Sequence, residues 1–444
     1  MALPDSILIV GGGVFGLSTA LSLSERHPTK QITLLEASPT IPNPHGSSVD
    51  TSRIIRADYA NPAYAALAAS AIRKWRATEW GQDGRYTENG LVLVYSDGNR
   101  DAEKYTRDSY ENVRRLEGDE KVVYLPNKAA VEKSVPRYIA GMNVAGGYLN
   151  RGSGWGDAEA GVRYARQMLE EKGRNVTIKH GEVERLIFAD GNGERRITGV
   201  SLKSSKGTPT IITVDLVILA TGAWTPNLID LRGIAQATGQ VLAYIKITDE
   251  EQEQLADMPT ILSFATGMFI IPPRNNELKI ARHAYGYWNP KTVTLPQRKG
   301  RETMVVSVPE NGVPIPPEGE NACRQALREM LPAFANRPFT RTRVCWYTDT
   351  PRGDFLISYH PEYSNLFLAT GGSGHGYKFF PILGDKIVDA LEGKLDPELR
   401  QLWQWPEAQH SLTPVVTKDG SRSGAMGLNL MDELAKSRVE SPKL

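Results

Sequence analysis

Cysteine is scarce in this chain, which has only Cys323 and Cys345 among its 444 residues. Two cysteines cannot form the disulfide framework of a small secreted domain, so the composition fits a reducing compartment. An excess of either charge is also lacking, because 52 basic residues nearly balance 51 acidic ones and leave a net charge of +1. We therefore expect neither nucleic acid nor an anionic membrane as the main partner.

Long apolar runs are lacking as well. No segment approaches the roughly 20 apolar residues that a transmembrane helix needs. The apolar residues 7–10 are too few for the core of a signal peptide, so we expect neither a membrane span nor a leader. A chain of 444 residues with 40% apolar content favours two globular domains over a single core.

The first 36 residues carry the strongest signal in the sequence. Ile7–Val10 predicts a short buried strand, Leu17–Arg26 a helix, and Gln31–Leu35 a second strand. The glycine-rich turn GGGVFG lies between the first strand and the helix. This order of strand, glycine turn, helix and strand is typical of dinucleotide-binding folds.

The glycines of this turn have separate roles in such folds. Gly11 permits the tight turn, Gly13 lets the backbone approach a pyrophosphate, and Gly16 lets the helix pack closely on the strand. The N–H groups at the start of the helix would face the pyrophosphate. Glu36 follows Gly16 by 20 residues and could accept hydrogen bonds from a ribose diol. The turn predicts an FAD or NAD site, with an ordinary structural turn as the alternative.

Two later segments repeat the pattern of a strand that ends in glycine. The first runs from residue 214 into Ala220-Thr221-Gly222, and the second runs from residue 366 into the turn 371–376 and a helix. An FAD molecule that extends across the sheet needs such additional backbone turns, whereas an NAD-only domain does not. The turn at residues 220–222 therefore favours FAD over NAD.

Several chemically capable side chains allow two interpretations on spacing alone. Arg53 and Arg56 would share a face if residues 50–56 were helical. The pair could then be part of a solvated helix face, or it could clamp a carboxylate. Lys279 and His283 lie on one face of a predicted strand. They could be half-exposed structural residues, or they could take part in the reaction. Considered by itself, Cys345 is expected to be a buried apolar residue.

Together the separated segments resemble one family. GGGVFG with Glu36, the DTSRIIR block, ATGAW, CWYTDTP and SGHGYK are similar to motifs of FAD-dependent amine oxidases of the monomeric sarcosine oxidase type, in the D-amino-acid oxidase superfamily. The resemblance implies an α/β fold in which a Rossmann-like FAD-binding domain (residues 1–88, 150–225 and 344–410) is interleaved with an antiparallel-sheet α+β substrate domain (residues 89–149 and 226–343). Residues 411–444 form a C-terminal tail, and residues 146–157 are expected to be a loop.

The resemblance also implies roles for individual residues. Cys345 would carry FAD covalently as an 8α-S-cysteinyl group, Arg56 and Lys378 would clamp the substrate carboxylate, and Arg53 would lie beside the flavin. Lys279 would activate dioxygen, and His283 would line the substrate pocket and take part in catalysis. Lys378 and Arg53 would touch the cofactor together with Gly11, Gly13, Val14, Phe15, Gly16, Glu36, Ser48, Val183, Thr221, Gly222, Trp224, Gly374 and Gly376. No metal is implied.

The implied reaction is oxidation of a secondary-amine amino acid such as pipecolate or sarcosine, with hydride transfer to flavin, imine formation and reduction of dioxygen to hydrogen peroxide. Fructosyl amino acid oxidases (amadoriases) and saccharopine oxidases are the alternatives. Amadoriases have a lysine where Arg53 stands, an acid where His283 stands, and a Trp-Arg-Asp segment that this tail lacks. An NAD-linked dehydrogenase and a non-catalytic flavin-binding protein are rivals from other classes.

The last residues suggest where the protein acts. Pro442-Lys443-Leu444 is close to the Ser-Lys-Leu peroxisomal signal. We expect a peroxisomal monomer that meets the import receptor, or a cytoplasmic one if this ending is not used.

Overall fold

The computed structural model describes residues 3–135, 137–138, 141–191, 194–204, 209–294, 302–406 and 414–439. The strands are β1 (Ser6–Val10), β2 (Gln31–Glu36), β3 (Arg53–Ile55), β4 (Tyr86–Thr87), β5 (Leu91–Tyr95), β6 (Val122–Leu125), β7 (Gly146–Asn150), β8 (Gly154–Gly156), β9 (Val176–His180), β10 (Val183–Gly191), β11 (Glu194–Leu202), β12 (Thr210–Thr213), β13 (Leu216–Leu219), β14 (Gln236–Lys246), β15 (Thr260–Ser263), β16 (Met268–Arg274), β17 (Glu277–Arg282), β18 (Tyr287–Trp288), β19 (Pro290–Thr294), β20 (Thr303–Ser307), β21 (Arg341–Asp349), β22 (Leu356–Tyr359), β23 (Leu366–Thr370) and β24 (Leu428–Asn429). The helices are α1 (Val14–Arg26), α2 (Pro62–Ala77), α3 (Arg100–Glu117), α4 (Lys128–Ser134), α5 (Ala158–Lys172), α6 (Asp249–Leu255), α7 (Pro317–Met330), α8 (Phe380–Leu391), α9 (Pro397–Trp403) and α10 (Leu430–Val439).

A six-stranded sheet holds the N-terminal glycine turn. Its strand order is β22-β23-β13-β1-β2-β9, and all neighbours are parallel except β22 and β23. The central strand β1 is buried on both faces, as its run of Ile7, Leu8, Ile9 and Val10 predicts. The sheet brings β1, β13 and β23 side by side, so the three glycine turns that follow them meet at one edge. The prediction of a Rossmann-like domain is confirmed.

A second, larger sheet forms the other main part of the fold. Its order is β24-β18-β14-β17-β16-β15-β5-β7-β6, and β21 also pairs with β14. Most pairs are antiparallel, as predicted, while β15–β5 and β18–β24 are parallel. The expected boundary at residue 344 falls inside β21, which pairs with β14 from Gln236↔Asp349 to Tyr244↔Arg341. The segment with Cys345 therefore belongs to the large sheet, while the chain that follows it enters the six-stranded sheet.

The structure differs from the sequence analysis at two segments. The condition that residues 50–56 are helical is not met, because Arg53–Ile55 forms strand β3 against β8. Residues 146–157 are not one loop, because they contain β7 and β8. The glycines there serve close strand packing: a Cβ on Gly147 would lie 2.2 Å from the Leu93 carbonyl oxygen. Two β-branched isoleucines after Arg53 favour a strand over the helix that charge spacing suggested.

Part of the polar C-terminal segment is buried. The side chain of Arg422 is only 1% exposed, and β24 joins the edge of the large sheet. The Pro-Lys-Leu ending lies outside the described residues. Among the described helices, none is long and apolar enough to cross a membrane.

Candidate active site

Three glycine turns line one elongated cavity at the carboxyl edge of the six-stranded sheet. It is bounded by predicted cofactor residues from the first turn (Gly11, Gly13, Val14 and Phe15), from the second (Thr221, Gly222 and Trp224), from the third (Gly374 and Gly376), and by Ser48 and Arg53. These residues come from four separate stretches of chain, and the fold brings them together. The prediction that the three turns share one site is therefore in agreement with the geometry.

The cavity has the features that an extended dinucleotide requires. A Cβ on Gly13 would lie 2.9 Å from Ser48 Oγ, and a Cβ on Gly374 would lie 2.3 Å from the Tyr347 ring, so neither position in the cavity lining has room for a larger residue. The Val14 N–H at the start of α1 donates to Ser48 Oγ at 3.0 Å. The positive end of a helix suits a pyrophosphate.

Five predicted cofactor residues do not line this cavity: Cys345 and Lys378 line a neighbouring cavity that is described below, and Gly16, Glu36 and Val183 line neither. Gly16 serves packing, because a Cβ there would lie 1.8 Å from the Gly11 carbonyl oxygen. The Glu36 carboxylate accepts hydrogen bonds from Gly12 N at 2.7 Å, Ser38 N at 2.9 Å and Asn43 Nδ2 at 2.8 Å, and so braces the first turn. Val183 is half-buried at the start of β10 and packs against a core cluster.

A second cavity adjoins the first and shares Arg53, Tyr347, Gly374 and Tyr377 with it. Six predicted site residues line it: Arg53, Arg56, His283, Cys345, Gly374 and Lys378. Its remaining lining includes apolar side chains from the large sheet and from β3, namely Ile54, Leu242, Leu262, Phe269 and Ala281. Positive and apolar groups thus surround a space next to the glycine turns.

Arg56 has a buried hydrogen-bond donor that the protein does not satisfy. The residue is 6% exposed, and its Nη1 has no hydrogen-bond partner. Its guanidinium lies over the Tyr59 ring, 4.8 Å from the ring centre. A buried donor on a cation is costly unless a ligand accepts from it. The position therefore suits an anionic ligand group.

Lys378 lies in the same cavity and is held by two acceptors. Its Nζ donates to Tyr59 OH and to the His375 carbonyl oxygen, both at 2.9 Å. Tyr59 OH in turn lies 3.0 Å from His375 Nδ1, and His375 Nε2 lies 2.7 Å from the Gly353 carbonyl oxygen. The carbonyl can only accept, so Nε2 carries the proton and Nδ1 accepts from Tyr59. Burial, reinforced by Arg56, holds the pKa of Lys378 well below its usual range.

His283 follows β17 and faces the same cavity. Burial, with the charges of Arg422 and Arg56, holds the pKa of His283 well below its usual range, which keeps the ring neutral. Its Nε2 lies 3.4 Å from Ser421 Oγ in the C-terminal segment. The ring can therefore exchange hydrogen bonds with a ligand without adding a charge.

Lys279 is close to the cavity but does not line it. Its Nζ donates to Asp50 Oδ2 at 2.9 Å and to the Ser52 carbonyl oxygen at 2.5 Å. Burial lowers the pKa of Lys279 to about 8, with Asp50 opposing the shift and Arg53 adding to it. Cys345 is buried on β21, and its sulfur lies 3.7 Å from Arg53 Nη2. Arg53 lines both cavities, and Cys345 and the ion pair of Lys279 with Asp50 lie beside it, so these residues form one corner of the site.

The residue pattern of a family described as FAD-dependent oxidoreductases (DAO) matches residues 6–390. The chain belongs to this family. The chain is 32% identical to the amino acid oxidase imqH of Aspergillus flavus, with 91% of this chain and 98% of that protein covered. It is 28% identical to the L-saccharopine oxidase of Schizosaccharomyces pombe (90% and 93% covered) and 26% identical to a monomeric sarcosine oxidase of a Bacillus species (88% and 94% covered).

Solved structures support the same assignment. The chain superposes on the fructosamine oxidase Amadoriase II of Aspergillus fumigatus with a TM-score of 0.82 and 26% identity, over 96% of both chains. The predicted resemblance, the fold class and the prediction of a flavin-dependent amine oxidase are confirmed. FAD is the cofactor of the family, and the two cavities of this FAD-dependent oxidoreductase fit it.

Sequence reasoning missed four buried residues in this family member. Tyr59 and His375 hold Lys378, Asp50 pairs with Lys279, and Arg422 pairs with Asp349 at 2.6 Å. Asp50 and His375 lie within the DTSRIIR and SGHGYK motifs, and Tyr59 lies just after the first. Their position next to the predicted cations was the signal that could have identified them. Arg422 lies in a polar tail with no periodic signal.

Proposed function

We propose that this protein is an FAD-dependent oxidase of a secondary-amine amino acid, such as pipecolate or sarcosine. The observation that carries the proposal is the buried pair of cations, Arg56 and Lys378, in the cavity beside the glycine turns. One of them has an unsatisfied donor, and the paired cations match the two oxygens of a carboxylate. The NAD-linked alternative does not fit the family.

FAD, when bound, supplies the hydride acceptor and the electrons that convert dioxygen into hydrogen peroxide. The protein's part is to place the substrate. Arg56 and Lys378 fix the carboxylate, and this directs the carbon next to the amine towards the cavity that the three glycine turns line. The apolar side chains of Leu242, Leu262 and Phe269 surround the rest of the substrate and exclude water.

Proton placement supports the same reaction. An amine must be neutral before it can release a hydride, yet a free amino acid carries an ammonium group. Lys378 and His283 both have pKa values well below their usual ranges because of burial. A buried cavity in which Arg56 and Lys378 already lie also favours the neutral form of the substrate amine.

The polarity of the second cavity supports the proposed substrate class. None of the described residues that line it is an aspartate or glutamate, so no lining carboxylate can hold the hydroxyls of a sugar. The neutral ring of His283 stands where a fructosyl amino acid oxidase has an acid. This favours a compact cyclic or N-alkyl amino acid. The likeness to Amadoriase II keeps a fructosyl amino acid as the second candidate, and the relative that oxidises saccharopine keeps saccharopine as the third.

We also propose that Cys345 carries FAD covalently and that Lys279 assists the reaction with dioxygen. Cys345 lines the second cavity, and its sulfur lies 3.7 Å from Nη2 of Arg53, which lines both cavities. Lys279 places a second positive charge at the same corner. We also propose that Glu36 and Val183 contact the adenosine end of FAD. The monomeric state and peroxisomal import are proposals as well.

The experiment that tests the substrate class is anaerobic bleaching of the bound flavin. L-Pipecolate, sarcosine, saccharopine and fructosyl-glycine are mixed in turn with the purified holoenzyme, and the loss of flavin absorbance is followed by stopped flow. Rapid bleaching by pipecolate or sarcosine is expected. Bleaching by fructosyl-glycine alone, or by saccharopine alone, would replace the proposal with that alternative.

A further inference from the structure

The carboxylate of Asp50 is the centre of a buried charge cluster behind the second cavity. Its side chain is 0% exposed and accepts hydrogen bonds from Lys279 Nζ at 2.9 Å, Tyr244 OH at 2.6 Å and Thr51 N at 2.8 Å. Arg53 forms an ion pair with the same carboxylate. One buried anion therefore compensates two buried cations.

The members of this cluster come from distant parts of the chain. Asp50 lies just before β3, Lys279 lies in β17, and Tyr244 lies in β14 directly opposite Lys279 in the strand register. Lys279 also donates to the Ser52 carbonyl oxygen at 2.5 Å. Two acceptors from the loop before β3 thus fix the position of an ammonium group that the large sheet supplies.

The charge state of Lys279 depends on the groups that face it. These are Asp50 and Arg53 around β3, Tyr244 on β14, the Phe269 ring on β16 at 5.8 Å, and Cys345 on β21. Burial would raise the pKa of Asp50, but Lys279 and Arg53 together hold it well below its usual range, so this carboxyl stays charged. Without that charge, Lys279 and Arg53 would repel each other in a site closed to water, which favours a neutral lysine.

We propose that Asp50 is a positioning residue for the reaction with dioxygen: it holds the ammonium of Lys279 in place and keeps it charged beside Arg53 and Cys345. The inference rests on the role of Lys279 in the proposed function. A fixed positive charge stabilises the negative charge that dioxygen gains when it is reduced. Asp50 has no place in the cavity lining, so it acts through Lys279 and not on the substrate.

The test compares Asp50→Asn with Tyr244→Phe in the flavin-loaded protein. The enzyme is reduced with dithionite, so that no amino acid substrate is involved, and its reoxidation by air-saturated buffer is followed between pH 6 and pH 9. The wild-type rate should fall above pH 8, where Lys279 loses its proton. Asp50→Asn should move this decline down by about one pH unit, which makes reoxidation roughly fivefold slower at pH 8 and leaves it close to wild type at pH 6.

Tyr244→Phe and Asp50→Glu separate the effect of the lost charge from the effect of a changed structure. Tyr244→Phe removes another partner of the same carboxylate but keeps its charge, so it should leave the pH of the decline unchanged. Asp50→Glu keeps the charge and should also restore that pH if Asp50→Asn folds poorly. In protein without FAD, Asp50→Asn should lower the melting temperature, and adding Lys279→Met should recover part of the loss, because the unpaired buried cation is then gone.

Several results would overturn the inference. One is an Asp50→Asn variant whose rate declines at the same pH as that of the wild type. Another is an equal slowing by Asp50→Asn with and without Lys279→Met, since a residue that acts through Lys279 has no effect once Lys279 is absent. If Lys279→Met alone reoxidises at the wild-type rate, the role of Lys279 and this inference both fail. If Lys279→Met is slow and Asp50→Asn is normal, only the inference fails.

Discussion

Replacing Arg56 with lysine tests the carboxylate clamp directly. The substitution keeps a positive charge in the second cavity but removes the planar guanidinium and its unsatisfied Nη1 donor. Arg56 is 6% exposed and lies over Tyr59, so a shorter ammonium at this position cannot reach a ligand in the same bidentate way. We expect the variant to fold and to bind FAD, because it keeps a buried positive charge beside Tyr59.

The expected size follows from the hydrogen bond that is lost. A hydrogen bond to a charged group contributes about 1.5–3 kcal/mol, which corresponds to roughly a 10- to 150-fold fall in kcat/KM. Lys378 keeps the other half of the clamp, with its two acceptors unchanged. The loss should therefore stay near the lower end of the range for Arg56→Lys and approach the upper end for Arg56→Met.

The assay compares two compounds that differ only in the carboxylate. Anaerobic flavin bleaching by L-pipecolate and by piperidine is measured for the wild type and for Arg56→Lys. The wild type should prefer pipecolate strongly, and the variant should lose most of that preference while its rate with piperidine changes little. Melting temperatures without ligand serve as the control, and they should agree closely, since no internal hydrogen bond of Nη1 is broken.

The reasoning would be refuted by an equal loss for both compounds. That result would mean that Arg56 supports the structure of the cavity and does not bind the carboxylate. An unchanged preference for pipecolate would exclude Arg56 from the clamp and leave Lys378 as its only member. Either result would weaken the proposal that the substrate is an amino acid held by its carboxylate.

Three further changes test other parts of the site. Cys345→Ala should release its flavin on acid precipitation while the wild type retains it; release from both proteins would disprove the covalent link. Lys279→Met should slow reoxidation by orders of magnitude and affect anaerobic substrate reduction much less, as measured by stopped flow; equal effects on both steps would remove its assigned role. Gly374→Ala should abolish flavin loading, because its backbone has φ +71° and the new Cβ would lie 2.3 Å from the Tyr347 ring; normal loading, read from the absorbance spectrum, would contradict this.

Much of the fold could be read from local sequence. The run Ile7–Val10 and the following GGGVFG turn predict a buried strand and a phosphate-binding turn because strand burial and backbone freedom are properties of the residues themselves. Helix α1 was predicted with its observed end at Arg26. The spacing of two arginines left the conformation of residues 50–56 open, because strand β3 depends on pairing with β8, which is distant in sequence.

The sequence by itself determined the turns, the strands that feed them and the types of charged side chain near the cofactor. Only the tertiary structure decided which charges meet and which stay unpaired. Asp50 and Lys279 are 229 residues apart, and Tyr59 and Lys378 are 319 apart, yet each pair lies within hydrogen-bond distance. Such contacts depend on how the two sheets are placed against each other, which no local pattern encodes. The free donor of Arg56 is likewise a property of its buried surroundings and not of the DTSRIIR motif.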